Sequence, residues 1–174
     1  TNKVRLRIIS AKACIALSEF GLYTAPIRMI EMPNRKHRPT VMDYLTNKPY
    51  WKAIGTNPTL NYAMDDNDKT IAITSGEIII DMNDTLQINE FSYFPRQDGS
   101  DEGTVDKYSY SVSMDAKNWQ EVATGEFGNI RANPQWQTTK LPKAVKARYF
   151  KLSVRHVLEG KGMTVSELNI NVEL

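Results

Sequence analysis

The stretch Tyr108-Ser-Tyr-Ser-Val-Ser-Met-Asp-Ala-Lys-Asn-Trp119 decides the fold class of this chain. From Tyr108 to Ser113, aromatic or apolar residues alternate with serine, which is the two-residue period of a strand with one face in the core and one face outside. A polar turn follows, and Trp119 to Val122 begins a second strand. The stretch therefore predicts two strands joined by a turn, the basic unit of an all-β domain.

The chain after Pro49 repeats this pattern of short strands and turns. No segment has the sustained apolar spacing of a long amphipathic helix. Short strands separated by turns roughly every ten residues are typical of a β-sandwich or jelly roll. The further predicted strands are Ile78–Asp81, Leu86–Phe94, Gln137–Leu141, Arg148–Val154 and Val165–Val172.

The two ends of the chain resemble each other. An alternating strand at Lys3–Ile9 precedes Ser18-Glu19, and an alternating strand at Tyr149–Arg155 precedes Ser166-Glu167. The two Ser-Glu pairs are separated by about the length of one domain. We therefore expect residues 1–23 to be the terminal strands of a preceding β-sandwich, and the chain to be part of a longer protein.

Residues 24–49 interrupt any strand or helix period with four prolines. They also contain the basic run Arg35-Lys-His-Arg38, which could bind a polyanion but is more typical of a solvated linker. We interpret residues 24–49 as an interdomain linker and residues 50–174 as one domain.

Composition narrows the possible functions. The net charge of +2 mixes both signs, so nothing favours a nucleic acid or a membrane surface as a partner. The two histidines, His37 and His156, leave little for acid–base catalysis, and no nucleophile motif is present. The single cysteine, Cys14, cannot form an internal disulfide. We expect the chain itself to be non-catalytic.

Four motifs occur in the order found in a known family: Phe91-Ser-Tyr-Phe-Pro-Arg96-Gln97, Tyr108–Trp119, Ala147-Arg-Tyr-Phe-Lys-Leu152 and Ser166-Glu-Leu168. Together they resemble the discoidin domain, which is the coagulation-factor C-type domain, and within it the family 32 carbohydrate-binding modules of bacterial glycosidases. The resemblance covers about Trp51 to Val172. It implies an all-β, eight-stranded jelly-roll sandwich that holds sugars with the loops at one end.

The opening segment Lys3–Tyr23 is similar to the end of the β-sandwich that follows the catalytic barrel in family 29 α-L-fucosidases. This resemblance implies a parent glycoside hydrolase that is secreted, periplasmic or on the surface of a bacterium. The partners of the module would then be galactose- or fucose-containing glycans and the neighbouring catalytic domain.

In the family an arginine commonly binds sugar hydroxyls, and Arg96 matches it, with Gln97 beside it. A planar guanidinium can hydrogen-bond two adjacent hydroxyls, which need partners when a sugar leaves water. The alternative is an ordinary ion pair of Arg96 with Asp98, Asp101 or Glu102.

A second loop, Gly125–Pro134, resembles one in modules from gut bacteria and is expected to reach the same end of the sandwich. Arg131 and Asn133 on this loop, and Trp136 just beyond it, complete the predicted sugar site. An aromatic ring can cover the apolar C–H face of a sugar. Trp136 could instead belong to the core, since it precedes the predicted strand Gln137–Leu141.

The sequence departs from the family in the segment Asp65–Ile73. Ala72 and Ile73 stand where family members often have a tryptophan and a sugar-contacting histidine. An isoleucine side chain donates no hydrogen bond, so recognition of galactose in the usual way would lack a contact. These two residues are the basis of an alternative, a structural spacer with a degenerate sugar site.

The acidic loop Asp65–Thr70 predicts a cation site, with a solvated turn as the alternative. Closely spaced carboxylates repel unless a cation lies between them, and Ca²⁺ takes six to eight oxygen ligands. In the family a structural Ca²⁺ is often held by this loop and by the glutamate of the C-terminal Ser-Glu. Asp66 replaces the usual glycine, and a non-glycine residue resists positive φ. The matching ligands here are Asp65, Asn67, Thr70 and Glu167.

The leading hypothesis is a non-catalytic carbohydrate-binding module that tethers a glycoside hydrolase to its glycan. The alternative is a structural spacer that packs against its neighbour. A third hypothesis is phospholipid binding, as in the clotting relatives. It requires exposed apolar residues at one end, for which Phe127 and Ile130 are the candidates.

Overall fold

The computed structural model describes residues 45–173, so the strands predicted in residues 1–23 and most of the predicted linker lie outside the described residues. Within this range no helix is long and apolar enough to cross a membrane. Two 3-10 helices, Lys48–Tyr50 and Pro58–Met64, flank the first strand. The strands are β1 (Lys52–Ile54), β2 (Ala72–Thr74), β3 (Glu77–Phe94), β4 (Glu102–Ser113), β5 (Gln120–Glu126), β6 (Gln137–Val157), β7 (Glu159–Val165) and β8 (Glu167–Val172).

All eight strands of the described range belong to one curled sheet. Its order is β1-β3-β6-β4-β7-β2, with β5 paired to β4 and β8 paired to β3. The pairs are antiparallel except for β4 and β7, which run parallel. The predicted all-β, eight-stranded sandwich is confirmed.

The predicted strands Ile78–Asp81 and Leu86–Phe94 form a single strand, β3, with an irregularity between them. At this point Asn83 adopts a left-handed conformation with φ 57°, and its N–H donates to Asp81 Oδ1 at 2.8 Å. A local side-chain bond of this kind lets the chain bulge and then resume its pairing. The polar residues therefore bend the strand instead of ending it.

The predicted strands Gln137–Leu141 and Arg148–Val154 are likewise one strand, β6. Its pairing with β3 skips from Lys140 to Val145, and Pro142 lies in the skipped segment. Proline has no N–H to give to a ladder, so it is tolerated inside a strand only where pairing is interrupted. The interruption is short enough for β6 to continue beside β3.

The strand that decides the fold class, β4, is buried on both faces, whereas the serine face was predicted to lie outside. Ser109 and Ser111 are only 2% and 8% exposed. β4 lies inside the sheet, with β5 and β6 both paired to it, and Ser111 is in register with the longer Lys151. A small side chain between larger neighbours keeps little exposed area, so the prediction for this face was wrong.

The predicted turn after β4 is fixed by Asp115. Its carboxylate accepts hydrogen bonds from the N–H groups of Asn118 (2.8 Å) and Lys117 (2.9 Å) and from the hydroxyl of Ser113 (3.0 Å). These bonds, with Asn118 first, hold the pKa of Asp115 well below its usual range. An aspartate that bonds to the following backbone stabilises a turn, and this one returns the chain as β5.

Residues ahead of β1 pack into the domain. Thr46, Asn47 and Lys48 are buried. The Trp51 indole Nε1 donates to the carbonyl of Thr46 at 2.8 Å, and the ring meets Phe150 edge-on at 5.5 Å between centroids. The packed domain therefore begins at or before Thr46, and the boundary predicted at residue 50 falls inside it.

Candidate functional site

A cleft of about 170 Å³ lies at one end of the sheet, between the loop that joins β3 to β4 and the loop that joins β5 to β6. Three residues predicted to bind sugar, Arg96, Gln97 and Arg131, are brought together here. The cleft lining includes Arg96, Gln97, Asp101, Thr104, Ile130 and Arg131.

The Arg96 guanidinium is held in place by three hydrogen bonds. Its Nε and Nη2 donate to the two carboxylate oxygens of Asp98 at 2.7 and 2.5 Å, and Nη1 donates to the carbonyl of Glu102 at 2.8 Å. These bonds use three of the five N–H donors of an arginine. The alternative prediction of an Asp98 ion pair is confirmed, and the same side chain also lines the cleft.

Electrostatics favour this pair. The bond to Arg96 is the main cause that lowers the pKa of Asp98 to about 2, so the carboxylate stays charged at any ordinary pH. In return Asp98 raises the pKa of Arg96 above its usual value. A bidentate arginine–carboxylate pair also fixes the plane of the guanidinium, which orients the donors that remain.

Gln97 joins the two loops of the cleft. Its amide Nε2 donates to the carbonyl of Pro95 at 2.9 Å and to the carbonyl of Pro134, across the cleft, at 2.8 Å. The Gln97 side chain therefore holds the two loops together through its amide nitrogen, in addition to lining the cleft.

The loop after β5 is anchored by buried apolar side chains. Phe127 is 5% exposed and stacks on Tyr108 at 4.1 Å and on Tyr93 at 5.5 Å between centroids. Ile130 is 2% exposed. Since an apolar residue must reach out of the protein to enter a membrane, the phospholipid hypothesis built on Phe127 and Ile130 was wrong.

Arg131 is more exposed and more loosely held than Arg96. Its Nη1 lies 3.3 Å from Asp101 Oδ2 and 3.4 Å from Glu159 Oε1, and 56% of its side chain is exposed. It thereby links the loop after β5 to the loop before β4 and to the first residue of β7. The guanidinium lies at the mouth of the cleft with carboxylates on two sides.

The other two predicted residues, Asn133 and Trp136, are not among those that line the cleft. Asn133 closes a local turn, in which its N–H donates to the carbonyl of Asn129 at 2.9 Å. Trp136 is 43% exposed and stacks on Phe94 at 4.9 Å between centroids. The alternative core placement of Trp136 was therefore wrong, and the ring is an exposed aromatic face next to the loop.

Ile73 lies level with the cleft, across two neighbouring strands of the sheet. It is in register with Thr164 on β7, and Thr164 is in register with Thr104 on β4, which lines the cleft. Neighbouring strands are about 5 Å apart, so Ile73 is roughly 10 Å from Thr104. Ile73 is 53% exposed and Ala72 is fully buried. An apolar side chain thus stands near the cleft, at the position where family members often have a histidine.

Thr104 also lines the cleft, and no motif in the sequence pointed to it. It follows Gly103, which has φ +73° and whose added Cβ would lie 2.8 Å from the Thr164 side chain. A glycine at a crowded, left-handed position marks a bulge. Gly103 is the one signal near Thr104 that could have suggested an irregularity at this end of the strand.

Three predicted ligands of the acidic loop lie close to the fourth, Glu167 on β8, and hydrogen bonds join them. The Thr70 hydroxyl donates to Asp65 at 3.0 Å, and the Asn67 N–H reaches Asp65 Oδ1 and Glu167 Oε1, both at 3.1 Å. Asp66 has φ 58°, the left-handed conformation expected from the glycine it replaces.

A lysine ammonium group lies within this cluster. Lys48 Nζ is 2.6 Å from Asp66 Oδ1 and 2.9 Å from Glu167 Oε2, and the Lys48 side chain is 1% exposed. Burial raises the pKa of the Glu167 carboxyl to about 7 even though Lys48 opposes this rise. A carboxylate so poorly solvated depends on a positive charge beside it.

Comparison with known proteins bears on both regions. A family model described as the F5/8 type C domain matches residues 45–168. The chain belongs to the F5/8 type C family. The match covers most of the chain and begins at the residues that pack ahead of β1, and it confirms the resemblance to discoidin domains.

Solved structures with the same fold include carbohydrate-binding modules of Clostridium perfringens. CBM32-5 of a family 89 glycoside hydrolase, in complex with GalNAc-β-1,3-galactose, is 22% identical with a TM-score of 0.62, covering 74% of this chain and 98% of that one. CBM32-3 of a family 31 glycoside hydrolase is 23% identical with a TM-score of 0.65, covering 74% and 94%. At these identities the likeness shows a shared fold.

A third solved structure is a much longer enzyme. It is a glycoside hydrolase 29 family member from an unknown rumen bacterium, 34% identical with a TM-score of 0.54. The likeness covers 57% of this chain and 18% of that chain. The F5/8 type C domain described here thus resembles a small part of a glycoside hydrolase.

A divalent cation does not fit the acidic loop of this F5/8 type C domain. The Lys48 ammonium takes one oxygen of Glu167, and the Asn67 N–H takes the other. Ca²⁺ needs such oxygens for itself. Within residues 45–173, no three His, Cys, Asp or Glu side chains are grouped to hold a metal ion. Of the predicted ligands Asp65, Asn67, Thr70 and Glu167, Glu167 contacts the Lys48 ammonium, and the other three hydrogen-bond to one another.

Proposed function

We propose that this F5/8 type C domain is a non-catalytic carbohydrate-binding module and that it tethers a glycoside hydrolase to glycans. The observation that carries the proposal is Arg96, whose guanidinium is fixed by Asp98 and Glu102 while it lines the cleft. A donor group already fixed in place loses little entropy when a sugar binds. The exposed ring of Trp136 on the adjoining loop offers an apolar face for the same ligand.

The charges of the cleft favour a neutral sugar over an acidic one. Both guanidinium groups that line it lie against carboxylates, Arg96 against Asp98 and Arg131 against Asp101 and Glu159. A sugar carboxylate would approach these same side chains and meet repulsion as well as attraction. Sugar hydroxyls, which donate and accept, can share the cleft with both signs. We therefore propose galactose, N-acetylgalactosamine or fucose in a glycan as the ligand class.

The proposed parent is a family 29 α-L-fucosidase, secreted, periplasmic or bound to the cell surface. Its support is the 34% identity to a segment of a glycoside hydrolase 29 family member and the resemblance of residues 1–23 to strands of such enzymes. A tethered enzyme works at a raised local substrate concentration even when the module binds each sugar weakly.

A structural spacer is the second candidate, and Ile73 is the observation that favours it. This exposed apolar side chain lies about two strands from the cleft and can make no hydrogen bond to a hydroxyl. In the spacer hypothesis the cleft is vestigial, and the domain only packs against its neighbour.

Titration calorimetry distinguishes the two. The 174-residue chain is titrated with galactose, N-acetylgalactosamine, fucose and short oligosaccharides that end in them, and with galacturonic acid as the acidic probe. We expect saturable heat with a neutral sugar, weaker binding of galacturonic acid, and a loss of about tenfold or more in Arg96→Ala, because buried hydroxyls lose their partner.

Arg148→Ala is the matched control. Arg148 also makes a bidentate pair with an aspartate, Asp81, at 3.0 and 2.9 Å, but it lies on β6 and does not line the cleft. Its removal should leave affinity unchanged. If neither neutral nor acidic sugars give heat with the folded chain, the spacer is the better explanation.

A further inference from the structure

Lys48 is an unusual residue for its position, because a lysine side chain is seldom fully buried. It is 1% exposed, and its ammonium lies between Asp66 at 2.6 Å and Glu167 at 2.9 Å. Removing an ammonium from water is costly unless close partners of opposite charge replace the lost hydration. The two carboxylates are such partners.

The groups around this ammonium are oriented for a lysine. Glu167 is itself 4% exposed and divides its two oxygens between Lys48 Nζ and the Asn67 N–H. Asp65 is turned towards its own loop and accepts the Asn67 N–H and the Thr70 hydroxyl. Each of these oxygens thus receives a proton donor of the protein.

We infer that the Lys48 ammonium takes the place of a divalent cation in this acidic loop, so that the domain folds without calcium. One fixed positive charge from the chain holds the loop that carries Asp66 against the last strand, which carries Glu167. The cation is covalently part of the protein, so no chelator can remove it.

The position of Lys48 in the chain extends this role. It lies in the short 3-10 helix ahead of β1 and is 119 residues away from Glu167 in sequence. The same contact that replaces a metal therefore fastens the entrance of the domain to β8. This explains why residues 45–49 are part of the packed unit even though their sequence resembles a linker.

The test is thermal unfolding of the 174-residue chain in millimolar calcium and in a chelator, for the natural sequence and for two variants. The natural chain should melt at the same temperature in both solutions. Lys48→Met should lower the melting temperature by roughly 10 °C, because it leaves the buried Glu167 carboxylate without its cation. Lys48→Ala, which also opens space, should be restabilised by calcium.

Lys107→Met is the matched control, since Lys107 is 53% exposed and lies 3.8 Å from Glu126, and its melting temperature should change little. If Lys48→Met does not fold, Lys48→Met/Glu167→Gln provides a second measurement, because it removes a negative charge with the positive one and should fold. A natural chain that is stabilised by calcium would overturn the inference. So would a Lys48→Ala chain that gains nothing from calcium, since the lysine would then not stand in place of the metal.

Discussion

The two ionic clusters of this domain hold their charges in different surroundings. At the cleft, Asp98 is 46% exposed beside Arg96, whereas in the acidic loop Lys48 and Glu167 are 1% and 5% exposed. Water screens the first pair, so it contributes little to stability and keeps donors available to a ligand. The second pair is desolvated, so the loss of either partner leaves a buried charge uncompensated. Similar groups thus line the proposed sugar site in one region and hold the fold together in the other.

The largest expected effect is on stability, at the buried pair of Lys48 and Glu167. Glu167→Ala should destabilise the domain by about 3–5 kcal/mol, because Lys48 keeps its buried charge with one carboxylate fewer. Urea unfolding followed by tryptophan fluorescence measures the loss. The control is Asp98→Ala, which removes an exposed carboxylate of the other cluster and should cost under about 1 kcal/mol. Equal losses in the two variants would show that burial does not separate the clusters.

The next prediction concerns whether the proposed sugar site extends beyond the cleft to Trp136. Trp136→Ala should weaken glycan binding by roughly tenfold, because it removes the exposed ring that stacks on Phe94. Stability should fall only slightly, since the ring is 43% exposed. Calorimetry and thermal unfolding on the same samples separate the two quantities. An unchanged affinity would restrict the sugar site to the cleft itself.

A substitution of Ile73, which lies level with the cleft, helps to decide between a carbohydrate-binding module and a structural spacer. Ile73→His places a hydrogen-bonding ring about two strands from Thr104, and we expect affinity for galactose-ending glycans to rise a few-fold, from one added hydrogen bond. Ile54→His, on exposed β1, is the control and should have no effect. A spacer without a working cleft would give no binding in either variant.

The smallest expected effect is that of pH on glycan affinity. The Asp98 pKa is lowered from 3.8 to about 2 by Arg96, so the stability it contributes is complete above its ordinary pKa and is lost as pH falls through about 2. Glycan affinity, measured by calorimetry, should therefore stay constant from neutral down to about pH 4. Asp98→Asn should bind more weakly than the natural chain with an equally flat profile. A decline of affinity above about pH 5 would show that another group controls the Arg96 geometry.

Strand class and the meeting of Arg96 and Arg131 at one end of the sheet could be predicted because they depend on local patterns. The alternation from Tyr108 to Ser113 and the turn at Asp115 specify a hairpin without distant information. Arg96 and Arg131 could be assigned to one end because each follows a strand of the expected order. The joined strands β3 and β6 could not be predicted, because polar residues or proline in a bulge look like the end of a strand.

Lys48 could not be assigned from sequence at all. A lysine between Asn47 and Pro49, at the end of a proline-interrupted segment, is typical of a solvated linker, and only its partner 119 residues away shows that it is buried. The carboxylates of the acidic loop were predicted from the sequence to need a cation, and the ammonium of Lys48 lies 2.6 Å from Asp66 in that loop. The cation itself came from a part of the chain that pattern alone gave no reason to connect with them.

The same lysine determines how the domain would bear tension. If the proposed catalytic neighbour lies ahead of this domain, tension would enter through the chain before β1, which is three residues long. Pulled alone, so short a strand would peel from β3 one hydrogen bond at a time. Because Lys48 precedes β1 and is bound to Glu167 at the start of β8, the force passes into the last strand first. The ion pair is therefore expected to make the attachment point mechanically stiffer than the strand behind it.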